Sequence, residues 1–403
     1  MGCTQSNENH EDIHTAVASR VPERVRHSLM NGRTDVNAFN KKGQTPLCVA
    51  TRLDDAAIVR QLLHGNADVN KCNSSGHTPL HLAVRRDLMD IVLILLSQPR
   101  VDVNKKNRFG WTALYVAVNC SSLEMTSLLL EHNADPNIRT NTDLSPLQRA
   151  TYDNNITIVD MLLKCDVDLD CKDESGWSPV MISTAHRKTK ILVTLLEHGA
   201  DPNTVDDTNT SALELAVSRS FADIVHILLS YGADQDLISK HKKPIIEVAL
   251  ALKFNVSQIV QDLVHHGADI NTRNAEGWTP IMFAVQEANT YKVKQYLESG
   301  ADPNARNKSG QTSAHISILY SYNPSLLKLL LYSGAHIDIP DAHGLTALDY
   351  AKCKENGLYE VLSAYLPLSL LCLSAQALRN FSSSTLDEYL PKTLIEFVNM
   401  HKC

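Results

Sequence analysis

Leu80, Leu82, Ala83 and Val84 crowd into five residues, and a second apolar run follows from Met89 to Leu96, interrupted only by Asp90. The pair predicts two short helices. Isolated helices of that length are marginal in water, so each pair must bury its apolar side against neighbouring pairs. The pattern returns along the chain behind a fixed signature. Gly76-His77-Thr78-Pro79-Leu80 has counterparts in Gly43-Gln44-Thr45-Pro46-Leu47, Gly110-Trp111-Thr112-Ala113-Leu114, Ser145-Pro146-Leu147, Gly176-Trp177-Ser178-Pro179, Gly277-Trp278-Thr279-Pro280 and Gly344-Leu345-Thr346-Ala347-Leu348. Thr45 lies 33 residues before Thr78, Thr78 34 before Thr112, and Thr279 33 before Thr312. A period of this size marks stacked supersecondary units.

Each part of the signature has a physical reason. Thr or Ser can accept a hydrogen bond from an unpaired N–H at a helix start, and Pro suits the first helical position, where its missing donor costs nothing. Gly before it permits a turn that a Cβ would resist. A third recurring piece, Asp68-Val69-Asn70, Asp102-Val103-Asn104, Asp201-Pro202-Asn203 and Asp302-Pro303-Asn304, supplies turn residues for a projecting loop. Residues 12–40 keep the apolar pattern (Ile13, Ala16, Val17, Val21, Val25, Leu29) without the Thr-Pro-Leu opening and read as a capping unit. With it, openings near Thr45, Thr78, Thr112, Ser145, Ser178, Ser211, Lys243, Thr279, Thr312 and Thr346 make about eleven units. Ala113, Ala212, Lys243, Ser313 and Ala347 mark departures from the signature.

These repeats resemble ankyrin repeats, over roughly residues 12–365. The resemblance implies an all-α solenoid of helix pairs with projecting loops, suited to gripping another protein. Trp111, Trp177 and Trp278 share one place in the signature, just after the turn glycine, so they are candidate target contacts; the competing reading is that Trp there packs on the next unit's loop. In the weakest unit, Lys240-His241-Lys242-Lys243-Pro244 replaces the Gly-x-Thr-Pro turn, and about three residues are inserted near 253–255. Lys240 and Lys242 are either a solvated loop or a contact for an acidic partner segment.

Composition narrows the function. A formal charge of -7 argues against a general nucleic-acid binder, which needs a cationic stripe. The most apolar stretch, Leu366 to Leu373, falls far short of a membrane span, and no secretory signal is visible. Nine cysteines without a CxxC pair read as reduced thiols of a cytosolic protein. No HExxH, GxSxG or P-loop occurs, and Cys165 with Cys171 lacks matched ligands for zinc. His132, His198 and His265-His266 precede loop turns, where they can satisfy helix-end carbonyls. No enzyme, cofactor or metal is expected.

After Leu366 the repeat stops. Leu370, Leu373, Ser374, Ala377 and Leu378 share one face of a predicted helix, Thr385 and Glu388 can form a capping box, and Leu390-Pro391 starts a further short helix. Residues 366–403 resemble a SOCS box. Ser369, Leu370, Leu373, Leu378 and Arg379 match its elongin B/C-binding helix, with Ser374 where that family has Cys and Ala375 where it has Arg. Leu390-Pro391-Lys392-Thr393-Leu394 resembles a shortened cullin-binding element, with Leu390, Pro391 and Leu394 as contacts. An ankyrin array followed by a SOCS box is identified as a substrate receptor of elongin–cullin–RING ubiquitin ligases, in which the array selects a target protein and partners supply the ubiquitin chemistry. The alternative is an ankyrin scaffold or adaptor whose final helices merely cap the array. Residues 1–11 read as a disordered N-terminal tail. Its start, Met1-Gly2-Cys3-Thr4-Gln5-Ser6, fits a myristoylation pattern at Gly2 with Cys3 as a second acylation site, resembles inhibitory-type G-protein alpha subunits, and implies membrane association. The competing reading is a fortuitous Met-Gly start.

Overall fold

A hydroxyl opens most first helices. Thr45 Oγ1 accepts the Cys48 N–H at 3.2 Å, and Thr78, Thr112, Ser145 and Ser178 repeat the arrangement three residues ahead of their own partners. Thr279 departs from it: the residue holds the N-cap position, but its buried Oγ1 has no partner among the described residues. The computed structural model describes residues 12–30, 34–235, 245–250, 252, 256–274, 276–353, 358–360 and 362. Gly2, Cys3, Lys240, Lys242, the insertion near 253–255 and every residue assigned above to the C-terminal box lie outside them. The chain divides into two compact units at Leu215/Ala216.

In the first unit, six helix pairs follow one another: α1 (Ile13–Ala18) with α2 (Pro22–Met30), α3 (Pro46–Leu53) with α4 (Ala56–His64), α5 (Pro79–Arg85) with α6 (Met89–Leu96), α7 (Ala113–Asn119) with α8 (Leu123–Glu131), α9 (Pro146–Tyr152) with α10 (Ile156–Leu162), and α11 (Pro179–Ala185) with α12 (Thr189–Glu197). First helices pack on first helices (α1 on α3, then α5, α7, α9 and α11), and second helices on second helices (α2 on α4, α4 on α6, α8 on α10, α10 on α12). The result is two helical layers with the apolar core between them. Leu47, Ile58, Leu62, Leu80, Ile91, Leu95, Leu114, Met125 and Leu129 are fully buried there. Each such side chain contributes about 1.5–3 kcal/mol on leaving water, which no single pair could collect alone.

The junction falls within α13 (Ala212–Ser218). The second unit holds α14 (Ala222–Ser230), α15 (Ile245–Leu250), α16 (Val256–His265), α17 (Pro280–Gln286), α18 (Thr290–Glu298), α19 (Ser313–Ile316), α20 (Pro324–Tyr332) and α21 (Ala347–Cys353), and α19 runs into a π-helical turn at Ser317–Ser321. Its last core gathers Ala314, Ile318, Leu327, Ile337, Ala347, Ala351, Leu358 and Leu362. Among the described residues there is one isolated β-bridge, Val205 with Ser211, and no strand. No described helix is long and apolar enough to cross a membrane.

Candidate functional site

The loop ahead of most described first helices turns on a side-chain acceptor that the motif reading did not identify. Asn107 Oδ1 accepts the N–H groups of Phe109 (2.9 Å) and Trp111 (3.0 Å); Asn40, Asn73, Asp173, Asp206 and Asp341 hold their own loops in the same i+2, i+4 manner. Between those two bonds sits Gly110 at φ 77°, and where the glycine is missing, Asp143 (φ 52°) and Asn209 (φ 60°) take the same left-handed backbone. Neighbouring tips are joined by backbone bonds, Ser74 N–H to Gly43 O at 2.7 Å and Asn141 N–H to Phe109 O at 3.1 Å. The tips of adjacent units are thereby held side by side.

A second ladder lies at the other loop. Asn70 Oδ1 accepts the Asp102 N–H at 2.8 Å while Asn70 Nδ2 donates to Arg100 O at 2.6 Å. Asn137, Asn271 and Asn304 reach forward to the following unit with the same pair of bonds, and Asn37, Asn104 and Asp170 do so as acceptors. These residues are thus links between units as well as turn residues. The sequence signal was present in their recurrence, but a bond to a residue 31 or 32 positions on is not part of any local motif.

The aromatic side chains gather on the loop and first-helix side of the first unit. The His77 ring lies 6.4 Å from Phe109, Phe109 5.9 Å from Trp111, and Trp111 5.2 Å from Tyr115. Phe109 is 58% exposed, whereas Trp111 is half-buried. Trp177 is half-buried too, with its carbonyl accepting Gln148 Nε2 at 2.8 Å, and in the second unit half-buried Trp278 lies 5.2 Å from Phe283. All three tryptophans thus keep part of their surface open, and Trp111 and Trp278 pack against aromatic neighbours. Phe109 and His77 are the members that motif reading missed: Phe109 precedes the turn glycine, a place the signature leaves open, while His77 holds the place of the tryptophans but is not a tryptophan.

Burial sets the protonation states on this face. Burial, with Arg85 adding to it, lowers the His77 pKa, and burial pushes His81 down to about 4, so both are neutral at pH 7. Burial and the Asp173 carboxylate, 3.1 Å from the phenol, raise Tyr152 to about 12. Burial raises Cys48 and Cys171 to about 11, which leaves their thiols protonated and poor nucleophiles. Arg149 is tied to Asp153 by two bonds of 2.8 and 2.9 Å. His64, His132, His198 and His266 each donate from Nδ1 to the carbonyl four residues earlier, at 2.7–2.9 Å, the role expected for histidines at these helix ends. Among the described residues no group of three His, Cys, Asp or Glu could hold a metal ion.

A family model described as Ankyrin repeats (3 copies) matches residues 13–107, 99–173, 147–239, 248–341 and 282–365. No curated protein matches the chain.

Proposed function

Because the chain belongs to the ankyrin-repeat family, and so is a protein-interaction module of a typically non-catalytic kind, we propose that it is the substrate-recognition subunit of an elongin B/C–cullin–RING ubiquitin ligase. The observation that carries this reading is the resemblance of Ser369-Leu370, Leu373 and Leu378-Arg379 to an elongin-binding helix, placed directly behind the array. Leu366, Leu368, Leu371 and Leu373 would point around several sides of that helix, more apolar surface than a terminal cap needs. A partner groove of the helix-in-groove kind relieves the cost of leaving them in water. In this reading Ser374 takes the pocket of the usual Cys, Leu390, Pro391 and Leu394 approach the cullin, and the array holds the target protein, with Trp111, Trp177, Trp278, Lys240 and Lys242 among its contacts. Ubiquitin transfer belongs to the partners.

Co-expression with elongin B/C tests it. The intact chain is expected to co-purify with both elongins, and the Leu370→Asp, Leu378→Asp double variant to lose them. Retention of elongin by the double variant would leave a scaffold or adaptor without a ligase role. We extend the proposal to the N-terminus, where acylation at Gly2 and Cys3 would place a cytoplasmic receptor at a membrane, since one myristoyl chain alone binds only marginally. Gly2→Ala is expected to move the protein to the soluble fraction, and an unchanged distribution removes the anchor.

A further inference from the structure

Charge is unevenly distributed along the loop and first-helix face of the first unit. Residues 38–53, 71–86 and 105–120 are the equivalent stretches of three successive repeats, each running from the Asn-terminated turn through the first helix. Together they hold nine Lys or Arg and no Asp or Glu, in a chain whose net charge is -7. The next equivalent stretches reverse the balance: Asp143, Asp153, Asp173 and Glu174 stand against Arg139, Arg149 and Lys172, and Asp206, Asp207 and Glu214 against Arg219 follow. The cationic stretches form one connected surface. Lys71 Nζ sits 5.0 Å from the Phe39 ring centroid, His77 links to Phe109 of the next repeat, and the Arg108 side chain lies against Gly76, 2.9 Å from where a Cβ there would stand. Lys41, Lys42, Arg85 and Arg108 are exposed. Arg139 and Arg149 further along have carboxylate partners, whereas none of these four is ion-paired among the described residues.

We propose that this basic and aromatic stripe docks an extended acidic segment of the target protein, with the segment's apolar side chains against Phe109 and Trp111. The inference deepens the reading of the array as a target-binding surface and rests on that part of it alone. Charge complementarity selects the occupant, and the extent of the stripe selects its class. Helices pack 8–10 Å apart, so three repeats present about 25–30 Å, the span of eight or nine extended residues at about 3.3 Å each. A nucleic acid would carry its charge past that limit, at about one per 1.7 Å in a duplex, and meet Asp143, Asp173 and Glu174. A short acidic peptide stops before them.

The test uses the full chain and a fluorescein-labelled peptide of nine residues alternating Glu with Leu or Phe, read by fluorescence anisotropy. Saturable binding that weakens with added salt is expected, with at least a tenfold loss for the Arg85→Glu, Arg108→Glu variant and no loss for Glu174→Gln. Absence of binding, or unchanged affinity in the double variant, overturns the proposal. So does equally tight binding of a single-stranded oligonucleotide of matched charge. Should charge reversal disturb the thermal melt, Arg85→Gln with Arg108→Gln is expected to give a smaller loss at an unchanged melt, and no loss then overturns it as well. Elongin B/C capture by the same variants separates the two claims: peptide binding without elongin removes the ligase reading and leaves the docking stripe.

Discussion

The imidazole of His81 joins two repeats: Nε2–H donates to the carbonyl oxygen of Trp111 at 2.8 Å, while Nδ1 accepts the Thr78 N–H at 3.3 Å. The partners fix the tautomer, because a carbonyl can only accept. Gln148 does the same work one repeat beyond Tyr115. Its Oε1 accepts the Ser145 N–H at 2.9 Å, and its Nε2 donates to Cys171 O and Trp177 O. An amide and a neutral imidazole are interchangeable in this position, but only the imidazole titrates.

That difference sets a pH dependence. The folded His81 has its pKa lowered by burial from 6.5 to about 4, so between those values the unfolded chain takes up a proton that the folded one refuses. Stability from this residue is therefore level above about pH 7 and falls as pH drops from 6.5 towards 4, by about 3 kcal/mol at the limit. His81→Gln should flatten the acid limb of a urea-unfolding series while keeping stability at pH 7.5. His81→Ala should cost about 2–4 kcal/mol at pH 7.5, having lost both bonds, and progressively less towards pH 4, because it also lacks the titrating group.

The Asn70 link to the next repeat gives a graded prediction. Asn70→Ala removes an acceptor from the Asp102 N–H and a donor from Arg100 O, and is expected to cost about 1–2 kcal/mol. Asn70→Asp keeps the acceptor, as Asp170 does for the Asp201 N–H, and should cost less. Amide hydrogen exchange at Asp102 should quicken in the alanine variant and stay near the wild-type rate in the aspartate variant.

Two glycines with similar backbone should respond differently to alanine. Gly110 (φ 77°) packs so that a Cβ would strike the backbone of Thr140 and Asn141 in the next tip, whereas Gly199 (φ 91°) faces open space. Gly199→Ala carries only the left-handed cost of about 1–2 kcal/mol; Gly110→Ala should exceed about 3 kcal/mol because the joined tips must part. Thermal melts of the two variants compare them directly.

At the far end, Leu358 and Leu362 are 0% exposed in the last core. Leu362→Ala should cost about 2–5 kcal/mol, with increased hydrogen exchange confined to the second unit. Deleting residues 366–403 separates the two readings of the tail: a small change in the melt fits a box that serves partners, and a loss on the scale of Leu362→Ala fits a cap.

The helix pairs were legible in the sequence because their cause is local. The Thr or Ser cap, the first-turn Pro and the two apolar runs all lie within one repeat, as Thr45-Pro46-Leu47 through His64 shows. The end-of-helix histidines were legible for the same reason. Asn70 was read only as a turn former, since its partners at Arg100 and Asp102 become neighbours through stacking. Phe109, Arg85 and Arg108 went unremarked because each fills a variable position, and a net charge of -7 hides a cationic stripe assembled from three separate stretches.

The amino-acid order alone determined the unit: its length, its paired helices, its capped starts and the apolar sides that oblige it to stack. Only the folded array decided which side chains meet across units, that His81 bonds Trp111, that Asn70 bonds the Asp102 amide, and that the lysines and arginines of three repeats share one face. The reason is range. Caps and periodicity act over a few residues, whereas contacts between side chains some 30 positions apart exist only once packing has set the register of one repeat against the next.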